Sequence, residues 1–429
     1  MPLAKDSKGR SVVPIGTDVP TCTKACETAY EAFQGGWKRA TVTARRNLLY
    51  KVADLFEQNK DELVRVQKAE TSCEQSWAEN NVALSVAYIR EIAACISSIR
   101  GVIPPNDKPD TMAFVYKEPI GPVLIIPPWN AALILATRAI TSAVGAGCTV
   151  VLKASELSPL THTMIVDMYR EAGCPPGVIN TLQAARQDAA EVTEALIASE
   201  RIRKVEFIGS AAVGRIIGAT AARYLKPVLM ELGGKCPAVV LDDADLQKAA
   251  VMCAKGALVH HGQVCFSTER IIVQRKVAEE FQKLLAKVVE ETPGGTAVHE
   301  GIAKHAYEVL QDAKEKGNKF IVGGVEYAGK NAVKPAIVAV DPKTSKDELR
   351  IVDEETFGPS ASLYVVDTDE EAIALANRSA YGLNATIHTQ NMERGIKMGR
   401  ELEYGQVHIN WISLYTSGKS VPSIGERQS

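Results

Sequence analysis

The chain lacks most of the patterns that announce metal, redox or membrane chemistry. Its nine cysteines include no CxxC pair, so a zinc knuckle or dithiol redox motif is not written in them. The count is odd, which fits a reducing, cytosolic setting better than a disulfide framework. Its seven histidines form no metal-spaced set, so no metal is expected. Net charge is nearly absent at −2, which gives no reason to expect nucleic acid or an anionic membrane as partner. No apolar core follows the charges of the opening MPLAKDSKGR, so no secretory signal is visible. The longest apolar region, Val123 to Leu152, is interrupted by Pro127, Pro128, Asn130 and Arg138. It reads as buried strand, turn and helix rather than a membrane span. No short-period repeat or low-complexity tract is present.

What remains is an ordinary globular composition with length for two or three domains: 429 residues, 46% apolar and 23% charged. Residues 1 to about 20 are polar, with Pro14 and Pro20, and read as a loose arm. From Thr21 to Ile103 apolar residues recur at helical spacing. Cys22 and Cys26, four apart on the first of these helices, suit packing better than metal ligation. Pro104-Pro105-Asn106 stops the helices, and Met112–Tyr116 reads as a short strand.

After Pro122 the pattern becomes strand and helix in alternation. The runs 123–126 and 149–152 are continuously apolar, as strands covered on both faces should be. That rhythm argues for an α/β fold with a parallel, doubly wound sheet of the dinucleotide-binding kind. The second half repeats it, from a strand near Ala238 to one near Gln406, which makes a second α/β domain the simplest reading.

One stretch organises the rest: Glu231 to Arg270, ELGGKCPAVVLDDADLQKAAVMCAKGALVHHGQVCFSTER. It opens on a carboxylate against Gly233 and Gly234 and closes near Cys265. A thiolate that attacks and a carboxylate that takes a proton from water can make and hydrolyse an acyl-enzyme. The bland alternatives stand beside this. A free cysteine is commonly a small buried hydrophobe. Glu231, after the apolar run 227–230, can be a solvated strand end, although a charge closing a buried strand is unusual. His260-His261 invites a Cys–His couple, but adjacent residues on a helix or strand diverge and no third orienting group is evident.

Other segments speak more softly. Gly209-Ser210-Ala211-Ala212-Val213-Gly214 joins a strand to a helix, where backbone N–H groups and the helix dipole suit a phosphate. It is not GxGxxG, and Arg215 stands where a P-loop needs lysine, so an ATPase is a poor reading. A glycine that merely starts a helix is the plain alternative. Glu156, after Lys153-Ala154-Ser155, can accept hydrogen bonds from both hydroxyls of an adenosine ribose and would repel a phosphorylated one, which tilts toward NAD over NADP. Ser155 and Ser158 equally suit a helix start. Asn130, in Pro128-Trp129-Asn130, can donate to an oxyanion or serve the turn. Asp353-Glu354-Glu355 taken alone is a solvated acidic loop.

ELGGK followed by GQVC resembles the two active-site signatures of the NAD(P)-dependent aldehyde dehydrogenase superfamily, in matching order and separation. The likeness runs from about Thr21 to Asn410. KEPIGPVLIIPPWNAALIL, VLKASELSP and LKPVLMELGGK are closest to the fungal and bacterial salicylaldehyde and vanillin dehydrogenase group. The resemblance implies an aldehyde dehydrogenase-like fold: a Rossmann-type NAD-binding domain over 1–108 and 120–232, an oligomerisation hairpin at 109–119, a catalytic domain over 233–410 and a divergent tail at 411–429. It implies Cys265 as nucleophile, Glu231 as general base and Asn130 in the oxyanion hole. Cofactor contacts carried over are Pro128, Trp129, Lys153, Glu156, Gly209, Ser210, Val213, Gly214, Leu232, Gly233, Glu355 and Phe357. The implied reaction is oxidation of an aromatic or apolar aldehyde by NAD, with NADP possible, in a cytoplasmic homodimer or homotetramer.

Against that pattern the N-terminus is short by the family's first strands. After Asn410 a glycine-rich loop and a last intersubunit strand are replaced by WISLYTSGKSVPSIGERQS, and Glu291–Gly295 shortens a loop. These departures favour a second reading, a catalytically silent relative kept as a scaffold or binding protein. Acyl transfer to coenzyme A fits less well, because members doing that commonly lack the base that Glu231 supplies.

Overall fold

The computed structural model describes residues 17–413. The chain divides into two compact units. The first runs through Thr71 and from Gln75 to Met230; the second holds Ser72–Glu74 and everything from Glu231 onward.

The first unit begins with four helices: α1 (Val19–Gln34), α2 (Val42–Gln58), α3 (Lys60–Thr71) and α4 (Gln75–Cys95). Asp18 caps α1 by accepting from Thr21 N, and Thr41 caps α2 by accepting from Ala44 N, the ordinary way to satisfy first-turn donors. Cys22 and Cys26 are buried on α1, so they are packing residues as expected. Strands β1 (Pro122–Ile126), β2 (Thr149–Ala154), β3 (Ile179–Gln183), β4 (Lys204–Ile208) and β5 (Val228–Glu231) form one sheet in the order β3-β2-β1-β4-β5. The pairings of β1 with β2 and β4, and of β2 with β3, are parallel. Helices α5 (Ala132–Gly145), α6 (Pro159–Glu171), α7 (Ala189–Ala198) and α8 (Ala211–Arg223) make the crossovers. Every residue of β1 and β2 is buried, which is why both read as unbroken apolar runs.

One expectation fails here, and one reading left open is decided. Met112–Tyr116 is not a strand; it makes a single antiparallel bridge, Val102 with Val115. Its side chains lie in solvent, Met112 at 67% and Tyr116 at 78% exposure, and a lone pair of extended segments has no face to bury. Also, Glu231 does not close a buried strand. β5 is the edge of its sheet and is half exposed, so a carboxylate at its end carries a smaller desolvation cost.

The second unit holds β6 (Cys236–Val240), α9 (Leu246–Leu258), β7 (Thr268–Gln274), α10 (Arg275–Glu291), α11 (Glu300–Glu315), β8 (Phe320–Val322), the small hairpin β9 (Tyr327–Gly329) and β10 (Ala332–Val333), β11 (Ala336–Ala339), β12 (Ser360–Val366), α12 (Asp369–Asn377), β13 (Asn384–His388), α13 (Met392–Glu401) and β14 (Gln406–Ile409). Seven strands form a sheet in the order β14-β13-β6-β7-β12-β11-β8, parallel except where β8 meets β11. Strand alternation sorts the core onto two faces. Ala238, Val240, Ile271 and Val273 pack with residues of α9 and α10. Val239, Leu241 and Ile272 pack with residues of α11, α12 and α13. Both units are therefore layered α/β folds of the kind expected from the alternating pattern.

Candidate active site

In the first unit the candidate residues sit at the carboxyl edge of a parallel sheet. From β1 the chain moves to β2 on one side, and β4 flanks β1 on the other, so the order reverses between β1 and β4. Such a switch point is where open α/β sheets hold ligands. β1 runs out into Pro127-Pro128-Trp129-Asn130, β4 into Gly209-Ser210 and β2 into Ser155-Glu156. All three sequence-picked segments thus leave the same edge of one sheet.

Asn130 is buried, and its backbone carbonyl accepts from Trp77 Nε1 at 3.2 Å. Ser210 caps α8: its hydroxyl accepts from Val213 N at 3.4 Å and its carbonyl from Gly214 N at 2.9 Å. Ser210 and Val213 remain exposed, so the helix opens to solvent at the end where its dipole is positive. Lys153 is buried at the end of β2. Burial pulls its ammonium below the usual lysine range, and the charge of Glu156 opposes that. A cation, a carboxylate and an open helix start on one sheet edge form a donor set suited to a diol and a pyrophosphate. Ser158, expected as a helix cap, occupies the N-cap position of α6 but makes no side-chain capping bond. Glu70 on α3 does that work instead, accepting from Leu160 N at 2.7 Å and Thr161 N at 2.9 Å.

In the second unit the signature residues converge through two glycines. A Cβ on Gly233 would collide with the Glu355 carboxylate, and one on Gly234 with the carbonyl oxygen of Cys265. Only glycine permits both approaches. Gly234 N donates to Glu355 Oε1 at 2.9 Å. The turn between Glu231 and Lys235 therefore touches the Cys265 backbone and the Glu355 carboxylate at once. Cys265 itself is partly exposed at the end of a turn that precedes β7.

That turn is backbone of an uncommon kind. His260 (φ 51°), His261 (φ 59°) and Gly262 (φ 71°) are consecutive left-handed residues. Neither helix nor strand geometry applies there, contrary to the premise used for the His260-His261 pair. His261 is nonetheless not the partner of a Cys–His couple. Its Nδ1 donates to Gly294 O at 2.6 Å and its Nε2 accepts from Val333 N at 3.5 Å. Burial pushes its pKa down, which suits that neutral role, while bonds to the backbone of Gly294 and Gly295 oppose the shift. Gln263, fully buried, donates to His260 O at 2.9 Å and accepts from Val298 N at 2.9 Å. The short loop after Glu291 thus cradles the turn that precedes Cys265.

Sequence reasoning missed Lys235 and Glu269. Lys235 is fully buried and donates to Glu269 Oε2 at 2.5 Å, to the Glu354 carbonyl at 2.6 Å and to Thr356 Oγ1 at 3.2 Å. Glu269 accepts from Thr356 N at 2.8 Å and Phe357 N at 3.0 Å. This pair fixes the Glu355-Thr356-Phe357 segment, with Phe357 in the left-handed region at φ 50°. Burial, with the charge of Glu269 adding, raises the Glu355 carboxyl to about 8; Gly234 N–H and Lys235 act against it. A lysine inside a Gly-Gly turn and a glutamate opening an apolar strand were the available signals. Among the described residues no cluster suits a metal ion, and no helix is long and apolar enough to cross a membrane.

With both sheets and both signature turns in place, comparison with known proteins is direct. The model of the aldehyde dehydrogenase family matches residues 13–429, past both ends of the motif-bearing stretch. The chain belongs to the aldehyde dehydrogenase family and is therefore an oxidoreductase acting on the aldehyde group. It is 38% identical over 420 residues to a salicylaldehyde dehydrogenase of Pseudomonas putida, covering 92% of this chain and 85% of that one. It is 38% identical over 396 residues to a vanillin dehydrogenase of Pseudomonas fluorescens, covering 90% and 80%. Among solved structures, a salicylaldehyde dehydrogenase from Pseudomonas putida G7 complexed with salicylaldehyde superposes with a TM-score of 0.89 at 35% identity, covering 96% of this chain and 89% of that one. An NAD-dependent aldehyde dehydrogenase from Sinorhizobium meliloti gives 0.90 at 29% identity, covering 99% and 88%.

Proposed function

We propose that this protein oxidises an aromatic or other apolar aldehyde to its carboxylic acid, using NAD. The observation that carries this is the Gly233-Gly234 turn, against which both the Cys265 backbone and the Glu355 carboxylate lie. The similarity to salicylaldehyde and vanillin dehydrogenases supports the aromatic class.

Each residue has a role by its chemistry. The Cys265 thiolate attacks the aldehyde carbon. The Asn130 side chain and the backbone N–H of Cys265 donate to the resulting oxyanion; losing one such donor costs on the order of a hundredfold or more in rate. When bound, NAD supplies the acceptor for the hydride that leaves that carbon. Cys265 is left as a thioester, and Glu231 takes a proton from water so that the water can attack it and release the acid. Lys153 and Glu156 would hold the adenosine ribose, and Gly209, Ser210, Val213 and Gly214 the pyrophosphate at the start of α8. Pro128, Trp129, Leu232, Gly233, Glu355 and Phe357 would line the nicotinamide end. The carboxylate of Glu156 disfavours a 2′-phosphate, so NAD is preferred to NADP.

The exposed 109–119 segment, where the Phe114 and Tyr116 rings stack 6.5 Å apart, is the surface proposed for association with a second copy. Nine free thiols support a reducing, cytoplasmic setting.

The test is NADH formation with benzaldehyde-type and aliphatic aldehydes, for wild type and Cys265→Ala. Turnover that favours aromatic aldehydes and disappears in the variant is expected. A folded wild-type protein that binds NAD yet turns over no aldehyde would move the reading to a catalytically silent relative.

A further inference from the structure

Glu70 and His162 are among the buried titratable side chains of the first unit for which the reaction has no use. Both lead to the loop between β2 and α6. Ser155 stands in that loop between Lys153 and Glu156, and its backbone N–H is buried. A buried donor without a partner is costly, so where this N–H goes matters. It donates to His162 Nδ1 at 3.2 Å. His162 is fully buried in the first turn of α6. Accepting at Nδ1 places the ring proton on Nε2. Burial, opposed by the nearby Ala132 backbone, pushes the pKa of His162 down to about 4, so the ring stays neutral near pH 7.

The turn that carries His162 is held from elsewhere. Ser158 leaves α6 without its ordinary cap. Glu70 accepts instead from Leu160 N, Thr161 N and the Thr161 hydroxyl at 2.6 Å. Two of the helix's orphan donors end on one buried carboxylate. Two sets of hydrogen bonds, joined by the peptide link from Thr161 to His162, thus run from α3 through the start of α6 to the residue between Lys153 and Glu156.

We infer that Glu70 and His162 are positioning residues for the cofactor's adenosine-ribose loop: Glu70 fixes the first turn of α6, and His162 on that turn fixes Ser155. The inference rests on the reading of Lys153 and Glu156 as ribose contacts. A preset loop has less ordering to lose on binding, so the brace acts on cofactor affinity and not on the chemical step.

The experiment measures NAD and AMP dissociation constants by calorimetry, with thermal unfolding as a fold control and kcat at saturating NAD. His162→Leu removes the acceptor. It is expected to weaken NAD and AMP by the same factor, about three- to tenfold, the worth of one hydrogen bond. Its kcat should stay within about twofold of wild type. His162→Asn puts Oδ1 where Nδ1 lies and should restore most of the affinity. A folded His162→Leu with wild-type affinity overturns the inference, as does an Asn variant as weak as Leu. Should His162→Leu not fold, Glu70→Gln takes its place: weaker NAD and AMP at unchanged kcat is expected, and unchanged affinity overturns the inference. Glu156→Gln separates the two layers. If it weakens NAD while His162→Leu does not, only the brace fails. If Glu156→Gln leaves NAD binding unchanged, the ribose reading fails and the inference falls with it.

Discussion

Each unit contains a buried glutamate that holds a segment proposed to face the cofactor, and the two are built differently. Glu70 in the first unit accepts two backbone N–H groups and one hydroxyl, with no cation among the partners that shift it. Glu269 in the second accepts two backbone N–H groups and is also bonded to the buried Lys235. The difference follows from what each holds. A helix N-terminus supplies its own partial positive charge, so a carboxylate there needs no ion partner. Thr356 and Phe357 lie in irregular backbone, with no helix dipole to offset a buried charge. There a full cation is required, and Lys235 comes from the turn that carries the signature glycines.

Breaking the paired site should have the larger effect. Lys235→Met removes the cation and leaves the Glu269 charge buried and uncompensated, which typically costs about 3–5 kcal/mol. Adding Glu269→Gln should recover part of that loss, because the uncompensated charge is then gone. Urea unfolding measures both; a single-mutant loss under about 1 kcal/mol would mean that the pair does not carry the segment. Glu70→Gln keeps the shape and one acceptor, and removes a charge that has no counter-ion to strand. Its expected loss is about 1–2 kcal/mol, near that of one or two hydrogen bonds. If the two substitutions cost the same, the helix terminus contributes nothing to Glu70 and the contrast fails.

The sequence displayed the frame of this comparison but not its joints. The fully buried strands β1 and β2 were legible because burial on both faces forces unbroken apolar runs. The Gly233-Gly234 turn was legible because close approach of the Glu355 carboxylate and the Cys265 carbonyl demands glycine at both positions. The Glu70 brace links residues 90 and 91 positions apart, and Glu269 reaches Thr356 across 87, and no local pattern encodes such distances. Ser158 looked like a cap on propensity alone; the tertiary contact from α3 displaced it. Met112–Tyr116 showed strand composition, but composition cannot supply the partner that a strand needs. His162, isolated in the apolar helix PLTHTMIV, and Lys235, enclosed by a turn and an apolar strand, were the two visible hints of buried polar work.

Glu355 sharpens the contrast most finely, because it lies beside the Lys235–Glu269 pair and feels both charges. Burial, with the charge of Glu269 adding, raises its carboxyl from the usual range to about 8. An acid whose folded pKa is raised holds its proton in the folded state at pH values where the unfolded chain has released it. Folding is then favoured at low pH, and that contribution disappears as pH rises from the unfolded value of about 4.5 toward 8. Between pH 5 and pH 8 the wild-type protein should lose stability relative to Glu355→Gln, at a slope approaching one proton. Unfolding midpoints of the two proteins across that range measure the slope as a difference, so other titrating groups cancel. Parallel curves would show that Gly234 N–H and Lys235 offset burial and Glu269 together at this carboxylate. Curves that converge toward low pH would show that burial and Glu269 hold the proton on Glu355 in the folded state.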